Sequence, residues 1–265
     1  MNLMHTVHNL YSFENKIIKK LHMGLTWSCS LECPYCARSN LDKTSMSIRL
    51  ENGTLAWHQY KDLLDLLSID EILLCGNYGD PIYYKHLLEL CEYIKTNDTR
   101  IIIHTNGSYK RYMFWESLGY ILDKNDTVIF SIDGSLTNSN TYRINSDKKS
   151  MLAGIKILLN ASNRPGIKWK YLVFNYNIST IEEAIDQAIM LGFDSIEFTS
   201  AYTDDNTTYN IDWSTKDIVK RIENKFNYLR ALEEDTDVFN ILDIDHIDND
   251  FEKWIRLNLT YFQTK

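Results

Sequence analysis

The sequence has little proline and little glycine, three and ten residues in a chain of 265. Together they fall well short of the roughly 12% these two residues usually reach, so long disordered linkers are not expected. No apolar run approaches the roughly 18 residues that would suggest a membrane-spanning helix. The first twenty residues, MNLMHTVHNLYSFENKIIKK, lack the apolar centre of a signal peptide. Cysteine is scarce and one-sided: Cys29, Cys33, Cys36, Cys75 and Cys91, with none beyond. An odd number so placed is a poor disulfide framework. The expected location is therefore a reducing cytoplasm, without a membrane partner. Basic charge is not in excess either, since the formal net charge is −8 and the pI about 5.4. A nucleic-acid partner is thereby disfavoured. Nine acidic residues and no Lys or Arg lie between Glu233 and Glu252, so the rest of the chain is close to neutral. The small basic clusters Lys16–Lys20 and Lys216–Lys225 read as solvated helix faces.

What is present is a regular alternation of short apolar runs with helical patterns. The runs predict strands over Leu21–Trp27, Glu71–Cys75, Arg100–Thr105, Thr127–Ile132, Ile167–Phe174 and Ser195–Thr199. Several, such as Ile101-Ile102-Ile103, are continuous and β-branched, as expected for parallel strands covered on both faces. Helices are expected near 51–67, 83–96, 109–122, 147–160, 180–191 and 215–233. In the fifth, Ile181, Ala184, Ile185, Ala188 and Ile189 share one face. Thr180 and Glu183 form a capping-box pattern in front of it, and Gly192 stops it. Six strand–helix units imply right-handed parallel crossovers and are too few for a closed eight-stranded barrel. An open (β/α)6 barrel fits best, with a doubly wound flat sheet as the competing architecture. In either, functional residues gather at the C-terminal ends of the strands.

The segments at those ends carry the chemistry. Cys29-Ser-Leu-Glu-Cys33-Pro-Tyr-Cys36 follows the first strand, and three thiolates on one tight loop suit a soft metal centre. Structural zinc takes four protein ligands, and no CxxC or HxxxH partner follows downstream. A three-ligand set points instead to an iron–sulfur cluster with one iron left open; three unrelated buried cysteines are the alternative. Cys75-Gly-Asn-Tyr-Gly-Asp-Pro81 ends the second strand. Its glycines let the backbone approach a ligand closely, and Asp80 offers an acceptor for an ammonium group. Ile103-His-Thr-Asn-Gly107, Phe130-Ser-Ile-Asp-Gly134 with Arg143 beyond it, and Lys170-Tyr-Leu-Val-Phe-Asn-Tyr-Asn177 end the next three strands. Taken singly, each reads as an ordinary turn. Cys75 and Cys91 read as buried strand and helix residues, with Cys75 also considered as a hydrogen-atom donor. The acidic 243–250 fails the calcium-loop pattern, because Asp248 stands where that loop needs glycine.

In this order, the motifs resemble the radical S-adenosylmethionine (radical SAM) superfamily, over roughly residues 21–200. The resemblance implies an α/β fold, a partial (β/α)6 radical SAM barrel with a short C-terminal helical extension. Its domain organisation would be an N-terminal extension over 1–20, the core over 21–200 and a C-terminal helix with the acidic segment over 201–265. It further implies that Cys29, Cys33 and Cys36 hold a 4Fe-4S cluster whose open iron chelates S-adenosylmethionine (SAM). Tyr35 would lie on the adenine side, and Gly76, Gly79 and Asp80 would meet the SAM amino group. Here the sequence departs from the family's GGEP pattern, with Asn77 and Tyr78 added and Asp in place of Glu. Asn106 falls in a TNG motif. Ser131 would contact the ribose and Arg143 the carboxylate, for which its planar fork is apt. Asp133 would orient these residues or reach the substrate, and Asn175 would approach the cofactor. SPASM and twitch enzymes of the superfamily bind auxiliary clusters through later cysteines, and 201–265 contains none. The implied activity is reductive cleavage of SAM followed by hydrogen abstraction from a substrate carbon. The expected substrate is a peptide or protein side chain, with a nucleotide or small metabolite as the alternative. The expected electron donor is an external flavodoxin or ferredoxin type. A non-catalytic protein stapled by zinc or a cluster is the reading from another class.

Overall fold

The computed structural model describes residues 17–39, 41, 54–76, 78–200, 220–225 and 257–260. Six parallel strands follow in chain order: β1 (Ile17–Met23), β2 (Ser68–Leu74), β3 (Arg100–Thr105), β4 (Thr127–Ser131), β5 (Gly166–Val173) and β6 (Ser195–Ser200). The crossovers carry α1 (Trp57–Asp65), α2 (Leu87–Lys95), α3 (Tyr112–Ile121), α4 (Lys148–Leu159) and α5 (Ile181–Leu191). A seventh strand, β7 (Leu257–Thr260), pairs antiparallel with β6, with Phe198 opposite Leu257 and Ser195 opposite Thr260. The sheet order is sequential from β1 to β7, an open α/β architecture as expected.

Each helix buries one stripe on the sheet. In α2 it is Leu87, Leu90, Cys91 and Ile94, and in α5 Ile181, Ala184, Ile185 and Ala188, at helical spacing. Cys91 is thus a core residue, and burial pushes its thiol far above the ordinary range. Gly192 ends α5 in the left-handed region at φ 84°, where a side chain would be strained. The expected capping box in front of α5 does not form. The Thr180 hydroxyl donates to the Asn177 carbonyl at 2.9 Å, and Glu183 accepts from Gln187 instead.

The expectation of two covered faces is corrected by the burial pattern. In β5, Ile167, Trp169, Tyr171 and Val173 are buried beneath helices, while Lys168, Lys170 and Leu172 alternate with them, half-buried. β3 repeats this, with Ile101, Ile103 and Thr105 covered and Ile102 and His104 on the other face. The second face is the inside of an open barrel. In a flat sheet the ends of β1 and β5 would stand about 19 Å apart at the usual strand spacing. Residues following β1 and residues of β5 nevertheless line a single cavity, so the sheet curves.

Strand limits differ at the first strand. β1 begins at Ile17, ahead of the expected Leu21, and leaves the sheet after Met23, so it straddles the expected 20/21 boundary. β3 runs over the expected residues. Of the expected helix over 215–233, 220–225 is described and helical. There Ile222 is buried, and Arg221 and Lys225 pair with Glu182 and Asp186 of α5 at 2.8 and 2.7 Å. The acidic stretch 233–252 lies outside the described residues.

Helices α3 and α4 pack with almost no clearance. A Cβ on Gly154 would stand 2.4 Å from the ring of Trp115, which is fully buried. Gly154→Ala gains about 1 kcal/mol of helix propensity and meets an overpacking penalty of typically 1–3 kcal/mol. A ring with no room to retreat puts the balance on the side of the clash. The expected outcome is a lower urea midpoint with an unchanged m-value; an unchanged or higher midpoint would show that Trp115 yields.

Candidate functional site

A cavity of about 330 Å³ opens at the C-terminal ends of the parallel strands. Cys29, Cys33 and Cys36 line it, together with Gly76, Gly79 and Asp80 after β2, Asn106 after β3, Ser131 at the end of β4, and Arg143. Nine of the sequence-predicted site residues therefore share one space. Tyr35, Asp133 and Asn175 do not line it.

The cysteine loop is held from several sides. The Tyr83 hydroxyl donates to the Ser108 carbonyl at 3.0 Å and can accept from Ser30 Oγ at 2.6 Å, so it bridges the loop to the end of β3. The Glu32 N–H donates to the Ile144 carbonyl at 3.1 Å, next to Arg143. Arg38 donates to the Leu31 carbonyl, and the Cys36 N–H closes a turn on the Cys33 carbonyl at 3.1 Å. Leu31, Cys33, Tyr142 and Phe174 form a small apolar core beneath, against which Tyr35 packs. Tyr35 thus serves the floor of the loop and not the cavity wall. Burial pushes the Cys29 thiol up, and the Cys33 thiol to about 11. All three cysteines are free. Among the described residues no three His, Cys, Asp or Glu side chains are gathered about a single ion position. A cubane cluster binds its thiolates on separate irons, so three thiols spaced around one cavity fit that donor set.

The glycines at 76 and 79 are required by backbone contact. A Cβ on Gly79 would stand 2.1 Å from the Thr26 carbonyl, and one on Gly76 would stand 2.4 Å from the Gly79 carbonyl. The turn is pressed on the segment that continues β1, and the Asp80 N–H donates to the Ser28 carbonyl at 2.9 Å. Asp80 is only 6% exposed. Its Oδ1 accepts from Thr105 Oγ1 at 2.8 Å and from the Ile82 N–H at 3.2 Å. Its Oδ2 accepts from the Asn106 N–H and from Asn106 Nδ2, both at 2.6 Å. Four donors fill the four lone-pair sites of a carboxylate. The expected role of Asp80 as an amine acceptor gives way to a clasp between the ends of β2 and β3.

A second acid behaves likewise. Asp133 has no exposed surface and accepts from Arg143 Nε at 2.6 Å and from the Leu172 N–H at 2.7 Å. It orients Arg143 from behind, the first of its two expected roles. Nε is the one side-chain donor of Arg143 hydrogen-bonded among the described residues, so Nη1 and Nη2 remain for the cavity. Asn175 is exposed beyond β5. Asn177 takes the inward position instead, accepting from the Phe174 N–H at 2.7 Å and donating to the Leu172 carbonyl at 2.9 Å.

The cavity also includes residues that sequence reasoning passed over. Leu31, Tyr78, His104, Lys170 and Tyr142 are the chief ones, and Cys75, considered above as a hydrogen-atom donor, lines it too. Cys75 is partly buried there, just beyond the end of β2. His104 and Lys170 carried a usable signal, because they are polar residues at alternate positions in β3 and β5. Tyr78 stacks on Trp27 at 4.1 Å between ring centroids, at the added residues of the glycine turn.

No protein-family model and no curated protein matches the chain. Solved structures do. SuiB of Streptococcus suis bound to S-adenosylmethionine aligns with TM-score 0.63 over 87% of this chain, at 15% identity. TYW1 with a lysine-pyruvate adduct bound gives TM-score 0.55 over 92%, at 16% identity. Coproporphyrinogen III oxidase from Escherichia coli, described as a radical SAM enzyme, gives 0.53 over 87%, at 10% identity. The chain covers 52% of SuiB, 56% of the oxidase and 80% of TYW1, so it spans about half the length of two of these structures. The fold is the partial barrel of the radical SAM enzymes.

Two predictions test the buried acids. Asp133→Asn leaves Arg143 without its partner; breaking a buried pair costs typically about 3–5 kcal/mol. A fall of that order in unfolding free energy is expected, while Ser131→Ala stays within about 0.5 kcal/mol of wild type. Burial lifts the Asp80 carboxyl from 3.8 to about 6, so the folded chain holds that proton more tightly than the unfolded chain does. The resulting stability is present below the ordinary value and is lost as pH rises through about 6. Urea midpoints of wild type measured across this window are expected to decline relative to those of Asp80→Asn. Parallel profiles would refute the assignment.

Proposed function

We propose that the chain is a radical SAM enzyme that uses one 4Fe-4S cluster, held by Cys29, Cys33 and Cys36, to abstract hydrogen from a substrate carbon. The observation that carries this reading is convergence: three free thiols after β1, a glycine turn after β2, Asn106 after β3, and Ser131 and an oriented arginine after β4 come from four strand ends to one cavity. A protein stapled by a metal would need the thiols alone. When bound and reduced, the cluster supplies the electron that cleaves SAM to methionine and the deoxyadenosyl radical that takes the hydrogen.

The chain's own residues then have distinct tasks. Arg143 binds the SAM carboxylate through Nη1 and Nη2, while Asp133 fixes its plane through Nε. The carbonyls of Gly76 and Gly79 receive the amino group, since the Asp80 side chain is saturated. Ser131, which lines the cavity, takes the ribose. Tyr78, Tyr142 and Leu172 wall the space and limit water around a reactive intermediate. Tyr35 acts by supporting the loop.

The substrate we infer is a peptide or protein side chain. Support comes from SuiB bound to its precursor peptide SuiA, which aligns with TM-score 0.62 over 88% of this chain and 53% of that one. The inferred electron donor is an external flavodoxin or ferredoxin type. The inferred location is the cytoplasm, consistent with five free thiols. Among the described residues, no helix is long and apolar enough to cross a membrane.

Anaerobic reconstitution with iron and sulfide is expected to give about four irons per chain and visible absorption typical of such clusters. Reductant and SAM should then yield 5′-deoxyadenosine. Alanine at Cys29, Cys33 or Cys36 should remove both the absorption and the product. Arg143→Ala should keep the cluster and raise the SAM concentration needed for half-maximal product at least tenfold. Zinc in place of iron, with no SAM affinity, would overturn the reading.

A further inference from the structure

The Asn106 side chain is 4% exposed and every one of its polar atoms has a defined partner. Oδ1 accepts from the Ser108 N–H at 2.8 Å, and Nδ2 donates to Asp80 Oδ2 at 2.6 Å. A backbone N–H can only donate, and the Asp80 oxygen already receives the Asn106 N–H, so it is an acceptor. The amide therefore has one possible orientation, with Oδ1 towards Ser108 and Nδ2 towards Asp80. One amide hydrogen is engaged by Asp80. The other is directed at Cys29 Sγ, 3.5 Å from Nδ2. Its aim is rigid, because Asp80 is itself held by Thr105 and Ile82.

We propose that Asn106 is a positioning residue that raises the reduction potential of the cluster by donating this N–H to the Cys29 sulfur. The inference rests on the proposed function, which places the cluster at Cys29. Reduction adds one negative charge to a cluster whose thiolate sulfurs share it. A hydrogen bond to sulfur stabilises the more electron-rich state and so favours reduction. Asp80 and Thr105 supply the geometry, and Asn106 supplies the donor. An acid at position 80 thereby reaches the first cysteine without touching it.

The test is an EPR-monitored redox titration of the reconstituted protein, with iron and sulfide counted first. Asn106→Leu keeps the size of the side chain and removes the donor. Asn106→Ser is too short to reach the sulfur but can still accept from the Ser108 N–H, and serves if the leucine variant does not fold. Thr105→Val loosens the same clasp while leaving the amide in place. The expected result is full iron content in each variant, with the midpoint shifted to lower potential for either Asn106 variant. At the wild-type midpoint, their ratio of reduced to oxidised cluster should fall severalfold, while Thr105→Val, which loosens the aim but keeps the donor, shifts it in the same direction by less. An unchanged midpoint on loss of Asn106, or an equal shift in Thr105→Val, overturns the inference and leaves the proposed function standing. A wild type that assembles no cluster overturns both.

Discussion

The constraint on which the site depends is that the tips of parallel strands must be joined without consuming the groups that meet a ligand. Asp80 shows how this is met. One buried carboxylate accepts from the side chain of Thr105, from both nitrogens of Asn106 and from the Ile82 N–H. Hydrogen bonds to a charged acceptor are roughly twice as strong as neutral ones, so four of them make a stiff joint between β2 and β3. Once that joint is set, the glycine turn lies against the backbone of Thr26 and Trp27, and the cysteine loop is placed relative to both strands. Asp133 does the same work between β4 and β5, by way of Arg143 and the Leu172 N–H.

This division of labour has an electrostatic reason. Bare carboxylates facing the cavity would repel three thiolates and any carboxylate-bearing cofactor. With Asp80 saturated by hydrogen bonds at the cavity edge and Asp133 buried behind Arg143, the polar groups free to meet a ligand include an amide, a hydroxyl, a guanidinium and a lysine ammonium. Each of these is neutral or cationic. Asp133 takes the orienting role of the two expected for it, while the Asp80 carboxylate is engaged by four donors, because a motif shows which residue stands at a strand end and not which way its charge is directed.

Much of the rest was legible. β3 was readable to the residue, because the Ile101–Ile103 run is bounded by a charge on one side and a Thr-Asn-Gly turn on the other. The βα alternation and the cysteine loop followed from order and spacing, and the place of Arg143 from the family resemblance. β1 was misplaced because Gly24–Trp27 continues an apolar pattern, yet pairing with β2 ends at Met23 opposite Leu74. The chain then departs to meet the glycine turn. β7 gave no signal, since Leu257–Thr260 is four residues long and its pairing is decided by β6. Asn177 is buried by local turn chemistry, bonding back to both Leu172 and Phe174, while Asn175 is exposed and does not line the cavity.

The misreading with most consequence concerned the inner face, and the ion pairs show why that face can be polar. Lys20, Glu71 and Arg100 stand in register on β1, β2 and β3, with contacts of 3.2 and 2.7 Å. Lys170 stands opposite Glu197 across β5 and β6 at a looser 3.9 Å. Neighbouring charges of opposite sign stabilise a sheet surface that apolar residues would otherwise have to cover. A closed barrel fills its interior with side chains in layers; this open one leaves its interior charged and half-solvated. The cost of that choice is borne at the N-terminal half, where the pairs are tight. At the C-terminal half the pairing loosens, and Lys170 and His104 reach a cavity instead of a packed layer. The same inner face thus serves as scaffold where Lys20, Glu71 and Arg100 pair across three strands, and lines the cavity with His104 and Lys170 further along.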